Sequence, residues 1–160
     1  MIETPRLRLE PISPELAARI VAGPREPTDA WHPEYPLADE LVPLRSLASS
    51  AHPDPIFTLY LIRLRSDGLA IGGLGFFGPP DENGRIEFGY GLVAAARGRG
   101  LATEAVLAAL DFAATAGARS AAADTDLDNL ASQRVLLKAG MTEVNRSETQ
   151  VFYERELTRP

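Results

Sequence analysis

The residues best suited to ligand chemistry form a short glycine-rich segment between a predicted strand and a predicted helix. The segment contains the pattern Arg97-x-x-Gly100-x-Ala102. Glycine and alanine let a ligand approach the main chain, and the free N–H groups of a first helical turn point at that ligand. Together with the helix dipole they favour an anion, so the segment predicts a phosphate or pyrophosphate site to which Arg97 and Arg99 add charge.

Other phosphate-binding motifs do not match this segment. The chain has no GxxxxGK[ST] pattern, which excludes a P-loop, and the segment lacks the GxGxxG of a dinucleotide-binding unit. Its RGRG sequence occurs once in an acidic chain, unlike the repeats of RNA-binding proteins. An unrelated phosphate-binding module is one alternative, but it explains this segment alone.

A second group of residues lies in the helix predicted after the next strand. It reads Asn129-x-x-Ser132-x-x-Val135-Leu136-x-Lys138-x-Gly140-Met141. With this group the sequence resembles the GNAT superfamily of acyl-CoA-dependent N-acyltransferases, in particular the branch of ribosomal-protein N-terminal (alanine/serine) acetyltransferases. The resemblance begins at Glu3-Thr4-Pro5-Arg6-Leu7-Arg8-Leu9, continues through Glu87-Phe88-Gly89-Tyr90 and the glycine-rich segment, and so covers nearly the whole chain.

Hydrophobic periodicity and turn residues predict the elements that position these motifs. The patterns predict strands at residues 6–12, 56–64, 69–77, 85–93, 119–124, 141–146 and 150–156, and helices at residues 14–22, 38–50, 99–116 and 129–139. Ser13 is placed to cap the first helix. This order predicts one α/β (α+β) domain over residues 1–160, with a mostly antiparallel sheet of about seven strands and about four flanking helices.

Residues 24–55 form a proline-rich insertion with three neighbouring aromatic or imidazole side chains, Trp31, His32 and Tyr35. Irregular segments of this kind are usually either surface lids or flexible loops, and the aromatic side chains favour a lid on the substrate side of the molecule. The three side chains either line an acceptor pocket or anchor the segment by burial, and burial is favoured. His32 and His52 both neighbour proline and are interpreted as loop histidines.

The resemblance implies a mixed sheet that splays between its fourth and fifth strands, residues 85–93 and 119–124, with acetyl-CoA in the opening. By similarity, pantetheine pairs with main chain near Leu92 and Val93, and Asn129 and Ser132 face the thioester. The pyrophosphate would lie on the N–H groups of Gly98, Arg99, Gly100, Leu101, Ala102 and Thr103, beside Arg97. The implied activity is acetyl transfer to a primary amine by direct attack in a ternary complex.

Direct attack requires a neutral amine, so a carboxylate or an ordered water must remove a proton. Glu87, on the central strand where the family often has a carboxylate, is the favoured base, although it could instead be an exposed partner of Arg85. Asp124 is the second candidate, with strand termination or helix capping as its structural alternative. A backbone N–H near Val93 is the expected oxyanion donor.

Many relatives supply the acid from a tyrosine four residues after the position of Ser132. Leu136 stands there in this chain and cannot donate a proton. We therefore expect Ser132 to take that role, with an ordinary helix-surface serine as the alternative. The missing tyrosine also gives weight to a second function, a non-catalytic acyl-CoA-binding or sensing domain on the same fold.

Composition limits the partners. With 16 basic and 22 acidic side chains the net charge is −6, which disfavours nucleic acid. The chain has no cysteine, which excludes disulfides, thiolate metal sites and a cysteine acyl-enzyme, and is compatible with the cytoplasm. The N-terminus lacks a signal-peptide pattern and residues 69–78 are too short an apolar stretch to span a bilayer, so we expect a cytoplasmic protein without membrane contact.

The acidic run Asp124-x-Asp126-x-Asp128 imitates the start of a calcium loop. Its sixth position is Asn129 rather than glycine and its twelfth is Val135 rather than glutamate, so no metal is expected. The expected partner is a small-molecule or peptide amine, and the chain is expected to act alone or as a homodimer.

Overall fold

A computed structural model describes residues 1–158 of the chain. Its strands are β1 Ile2–Glu3, β2 Leu7–Pro11, β3 Leu59–Leu64, β4 Ala70–Phe76, β5 Arg85–Leu92, β6 Ser120–Asp126, β7 Thr142–Arg146 and β8 Gln150–Glu156. Its α-helices are α1 Pro14–Ala22, α2 Leu41–Ala48, α3 Leu101–Thr115 and α4 Leu130–Lys138. Single 3-10 turns lie at Pro27–Asp29, Ala38–Glu40 and Ala94–Ala96. None of the described helices has the length and apolar character needed to cross a bilayer.

The eight strands form one sheet in the order β1-β2-β3-β4-β5-β6-β8-β7. Every neighbouring pair is antiparallel except β5 and β6, which are parallel. The prediction of a mixed, mostly antiparallel sheet with four helices is thereby confirmed. The eighth strand is β1, whose two residues are too few to show an alternating pattern.

The sheet opens between β5 and β6, as the resemblance implied. Only residues 85–87 of β5 pair with β6, at residues 120–122. Beyond Ala122, β6 stays paired with β8 as far as Asp126, while β5 stays paired with β4 as far as Leu92. The two halves of the sheet therefore separate into a V whose walls are the carboxyl-terminal parts of β5 and β6.

The two faces of the sheet are covered by different helices. Tyr60, Leu74 and Tyr90 are in register and share one face. On that face the ring of Tyr60 lies 6.2 Å from Phe112 of α3, and Tyr90 contacts α4. The segment that leads into α2 covers the other face, because Leu37 lies over Gly91 there.

Local side-chain contacts explain most element boundaries. Ser13 accepts a hydrogen bond from the Leu16 N–H at 3.1 Å, so the predicted cap of α1 is confirmed. The strand predicted at residues 56–64 begins only at Leu59, since the Asp54 carboxylate holds the N–H groups of Ile56 and Phe57 in a turn. The predicted strand at residues 119–124 extends to Asp126 because its pairing with β8 continues.

Candidate functional site

A first cavity of about 350 Å³ lies between β5, the start of α3 and α4. Its lining includes most residues predicted to bind the cofactor: Leu92, Arg97, Gly98, Gly100, Leu101, Ala102, Thr103, Asn129 and Ser132. It also includes Tyr90, Gly91 and Lys138. The structure thus brings together two motifs that are about 30 residues apart in the chain, because the crossover from β5 to β6 places α3 beside α4.

The glycine-rich segment presents a run of unpartnered N–H groups to this cavity. Gly98 and Gly100 have φ angles of +79° and +76°, a conformation that other L-residues rarely adopt. Gly100 is the N-cap of α3 and provides no side-chain cap. Within the described part of the chain, the N–H groups of residues 98–103 donate to no acceptor. The segment has the form of an anion site at a helix N-terminus.

The turn between β1 and β2 braces this segment from behind. Arg6 donates from Nη1 to the carbonyl of Arg99 at 2.8 Å and from Nε to the Glu104 carboxylate at 2.7 Å. The same carboxylate accepts from the Thr4 hydroxyl at 2.6 Å. Burial raises the pKa of Glu104, but the hydrogen bonds from Thr4 and Arg6 outweigh burial and hold the pKa below its ordinary value. The sequence motif around Arg6 therefore holds the glycine-rich segment in place, a role that hydrophobic periodicity does not predict.

Val93 and Arg99 do not line the cavity. The Val93 N–H donates to Ile71 at 2.8 Å and its carbonyl accepts from Ala96 at 3.0 Å, so both of its backbone groups are occupied. This corrects the expectation that the Val93 main chain is available to pantetheine or an oxyanion. Because hydrogen-bonded pairs alternate along an antiparallel ladder, the N–H groups of Tyr90 and Leu92 point away from β4, into the V.

A second cavity of about 310 Å³ lies on the opposite side of the sheet, under α2 and the turn that precedes it. Its walls are mostly apolar, including Leu37, Leu44, Leu59 and Phe77. Its ionisable lining residues are Asp39, Glu40, Tyr60, Tyr90 and Asp124, with no Arg, Lys or His among the described lining residues. Tyr90 and Gly91 line both cavities, so the two cavities meet at the V.

At this junction a tyrosine hydroxyl faces Ser132. The Tyr90 Oη lies 2.7 Å from Ser132 Oγ. Burial raises the pKa of Tyr90, partly countered by the hydrogen bond with Ser132, so the phenol stays protonated at neutral pH. A search for a tyrosine within the helix cannot find this residue, since Tyr90 is on β5. The only signal in the sequence is its place in Glu87-Phe88-Gly89-Tyr90.

The carboxylates occupy different positions. Glu87 lines neither cavity and is paired with Arg85 at 2.6 Å, with its side chain 53% exposed. Asp124 lines the second cavity, and burial, followed by the charges of Glu87 and Asp126, raises its pKa. Glu40, which sequence reasoning missed, also lines this cavity, and burial raises its pKa to about 7. Across residues 1–158 no His, Asp and Glu side chains gather as a metal site.

The aromatic part of the insertion is an anchor rather than a pocket wall. Trp31 and Tyr35 are 7% and 1% exposed, and neither lines the second cavity. Arg25 donates to the carbonyls of Trp31, His32, Pro33 and Tyr35, which fixes the segment. The insertion lines the second cavity with residues from the range 37–44 instead.

Comparison with known proteins identifies related chains. The family model for an acetyltransferase (GNAT) domain matches residues 6–142. An uncharacterized N-acetyltransferase of Bacillus subtilis, YjdG, is 30% identical over 151 residues, covering 88% of each chain.

Two solved structures show the same fold. The ribosomal-protein-S5-alanine acetyltransferase of Vibrio fischeri superposes with a TM-score of 0.69 at 16% identity, over 97% of this chain and 95% of its own. The spermidine N-acetyltransferase of Vibrio cholerae, solved with CoA and spermine, superposes with a TM-score of 0.56 at 14% identity, over 62% of this chain and 64% of its own.

Proposed function

The chain belongs to the GNAT acetyltransferase family and is an acetyl-CoA-dependent N-acetyltransferase, and on this premise we propose that its first cavity binds acetyl-CoA and its second binds the amine. The observation that supports this division is the junction at Tyr90 and Gly91, where both cavities reach the V from opposite faces. A thioester and an amine held on the two sides would meet there.

The first cavity fits a pyrophosphate-containing cofactor. Residues 98–103 offer unpartnered N–H groups on the N-terminus of a helix, a suitable cradle for the pyrophosphate. Leu92 offers main chain to pantetheine, although its carbonyl already accepts from Arg97 at 3.1 Å. Asn129 caps α4 by accepting from the Ser132 N–H at 3.1 Å, which fixes the Ser132 backbone in the first turn of α4. When bound, acetyl-CoA supplies the activated acetyl group.

The protein's own groups would then guide the transfer. The neutral amine would attack the carbonyl carbon, the C–S bond would break, the nitrogen would lose one proton, and the leaving thiolate would take one. The Leu92 N–H, which points into the V, is placed to stabilise the developing oxyanion. The Tyr90 hydroxyl, held by Ser132, is placed to give the proton to sulfur, so the leucine at position 136 does not leave the site without an acid.

The acceptor would be a primary amine with an apolar body. The second cavity joins apolar walls to Asp39, Glu40 and Asp124, an environment suited to an ammonium group. Both a protein N-terminus and a small-molecule amine have this chemistry. The V. fischeri relative acts on an alanine of a ribosomal protein and the V. cholerae relative on spermidine.

We further propose that residues 1–160 form a single catalytic domain that works in the cytoplasm, as a monomer or homodimer. The continuous eight-stranded sheet supports one domain, since all the described strands belong to it. The net charge of −6 supports an amine rather than a nucleic acid as the partner.

The test is a calorimetric titration with acetyl-CoA, CoA and ATP, followed by thiol release in the same samples across a panel of amines. The protein has no cysteine, so it contributes no thiol background. Binding of acetyl-CoA with amine-dependent thiol release supports the proposal and begins to identify the acceptor. Tight ATP binding without acetyl-CoA binding would contradict it.

A further inference from the structure

The Glu40 carboxylate lines the second cavity and fills the space that a side chain at Gly73 would otherwise occupy. The residue ends the 3-10 turn Ala38–Glu40, directly before α2. Its carboxylate lies against Gly73 of β4, where a Cβ atom would collide with Oε1. Any residue other than glycine at position 73 would therefore displace the carboxylate.

This position lies beside the place where the two cavities meet. Gly73 pairs in register with Gly91 of β5, and Gly91 lines both cavities. Leu37, from the same turn as Glu40, covers Gly91 in the same way. The turn is held by a 3.1 Å hydrogen bond from the Leu37 N–H to Glu40 Oε2. The Oε1 atom has no hydrogen-bond donor or cation within residues 1–158.

We propose that Glu40 is the general base that takes the proton from the acceptor ammonium before the amine attacks. This assignment rests on the proposed function of the second cavity. One N–H proton moves to a Glu40 oxygen, and the nitrogen then forms its bond to the acetyl carbon. As the C–S bond breaks, the Tyr90 hydroxyl gives its proton to the sulfur and takes the second proton from the nitrogen. Glu40 later releases its proton to solvent. The carboxylate is thereby regenerated for the next turnover.

The surroundings of Glu40 suit a base near neutral pH. Burial is the largest cause of its raised pKa of about 7, opposed by the Leu37 N–H and supported by the charge of Asp39. The other ionisable residues around it are Tyr35, Tyr60, Tyr90 and Asp124. Arg63, which acts on Tyr35, is paired with Glu10 at 2.7 Å. General bases are most effective when their pKa is near the working pH.

The decisive variant is Glu40→Gln, compared with Glu82→Gln on an exposed loop as a matched control. Glutamine keeps an oxygen for the Leu37 N–H. We expect kcat for the best amine to fall by about 10²-fold or more in Glu40→Gln. The acetyl-CoA dissociation constant should stay within about twofold, because the cofactor cavity is on the other face. Glu82→Gln should match the wild type.

The pH profile separates a base from a structural residue. In the wild type, kcat should rise with pH through about 7, as Glu40 loses its proton, and this limb should disappear in Glu40→Gln. In Asp39→Asn the limb should move to lower pH, because a neighbouring negative charge that raises the pKa is gone. Unlike the loss of the limb in Glu40→Gln, this shift is measured in a variant that keeps Glu40.

The outcomes distinguish failure of the proposed function from failure of the assignment of Glu40 as the base. A wild type that releases no thiol with any amine overturns the proposed function and the base assignment together. A wild type that transfers acetyl groups, with a folded Glu40→Gln variant that retains the limb near pH 7, overturns the base assignment alone. A limb that does not move in Asp39→Asn also counts against Glu40.

Discussion

The hydroxyl of Tyr90 lies 2.7 Å from the hydroxyl of Ser132, joining a strand and a helix whose residues are 42 positions apart. Both side chains line the first cavity, and Tyr90 also lines the second. In the proposed arrangement the pair lies on the acetyl-CoA side of the V, and burial raises the pKa of the phenol. Tyr90 on β5 is therefore a candidate general acid, although α4 has Ser132 and Leu136 at the positions discussed above and no tyrosine.

Replacing Tyr90 by phenylalanine removes the hydroxyl and keeps the ring against Phe88. We expect kcat to fall by about 10²-fold, since general-acid catalysis contributes at least that much. Ser132→Ala should have a smaller effect because it leaves the phenol in place. Steady-state kinetics measure both effects, and acetyl-CoA calorimetry checks that binding persists. A larger loss of activity in Ser132→Ala than in Tyr90→Phe would assign the acid to Ser132 instead.

The anion cradle predicts a specific loss of cofactor binding in Gly100→Glu. A carboxylate there would repel pyrophosphate and occupy its space. The loss of two charge-assisted hydrogen bonds of about 1.5 kcal/mol each corresponds to about 100-fold weaker acetyl-CoA binding. Calorimetry gives the dissociation constant.

The matched control for this variant is Gly117→Glu at the other end of α3. Gly117 also has a positive φ, +104°, so a new side chain is strained at both sites. Each variant should lose about 1–2 kcal/mol of unfolding free energy. Cofactor affinity should fall in Gly100→Glu only. Similar losses of affinity in both would mean that backbone strain, and not the cradle, is responsible.

The brace behind the cradle predicts that Arg6→Leu raises the KM for acetyl-CoA several-fold with little change in the KM for the amine. Arg6 holds the Arg99 carbonyl and Glu104, so its loss loosens residues 98–103. Arg8→Leu is the control, because Arg8 is two residues further along the chain, on β2, but pairs with Glu3. A rise in KM for both substrates would indicate a general loss of structure.

The same brace predicts an acid-dependent stability. The Glu104 pKa in the folded protein is below its ordinary value of 4.5, so ionised Glu104 favours the folded state. This contribution is complete above pH 4.5 and is lost as pH falls through the folded pKa. The midpoint temperature of thermal unfolding should therefore fall less steeply with decreasing pH, below pH 4.5, in Glu104→Gln than in the wild type. Parallel curves would contradict this.

The parts of this site that depend on interactions between near neighbours in the chain can be predicted from the sequence, and the parts that depend on distant elements cannot. The Ser13 cap and the cradle at residues 98–103 act within a few residues of themselves, so composition and spacing predict them. The pair Tyr90–Ser132 and the contact of Glu40 with Gly73 depend on distant strands and helices meeting. Glu40 also follows an irregular segment with no periodicity. The expectation that the Val93 main chain is available to a ligand is wrong because pairing between neighbouring strands directs its N–H to Ile71. The sequence does not show that register.

Glu87 and Asp124 differ in their position relative to the cavities, so their substitutions should have different effects. Glu87 forms an exposed ion pair with Arg85 outside both cavities, and such pairs contribute about 0–1 kcal/mol to stability. Because Glu87 lines neither cavity, Glu87→Gln should keep kcat within about threefold, which is a change of less than about 1 kcal/mol in the activation barrier. Asp124 lines the second cavity, where its charge would attract the acceptor ammonium.

In Asp124→Asn we therefore expect the KM for the amine to rise about tenfold, equivalent to about 1.4 kcal/mol of binding energy, with acetyl-CoA binding unchanged. Steady-state titration of each substrate at saturating concentrations of the other measures both constants. Raising the ionic strength should weaken amine binding in the wild type more than in Asp124→Asn, because screening acts on the attraction that the variant lacks. A Glu87→Gln variant with a kcat reduced 100-fold, beside an active Asp124→Asn variant, would return the role of base to the central strand.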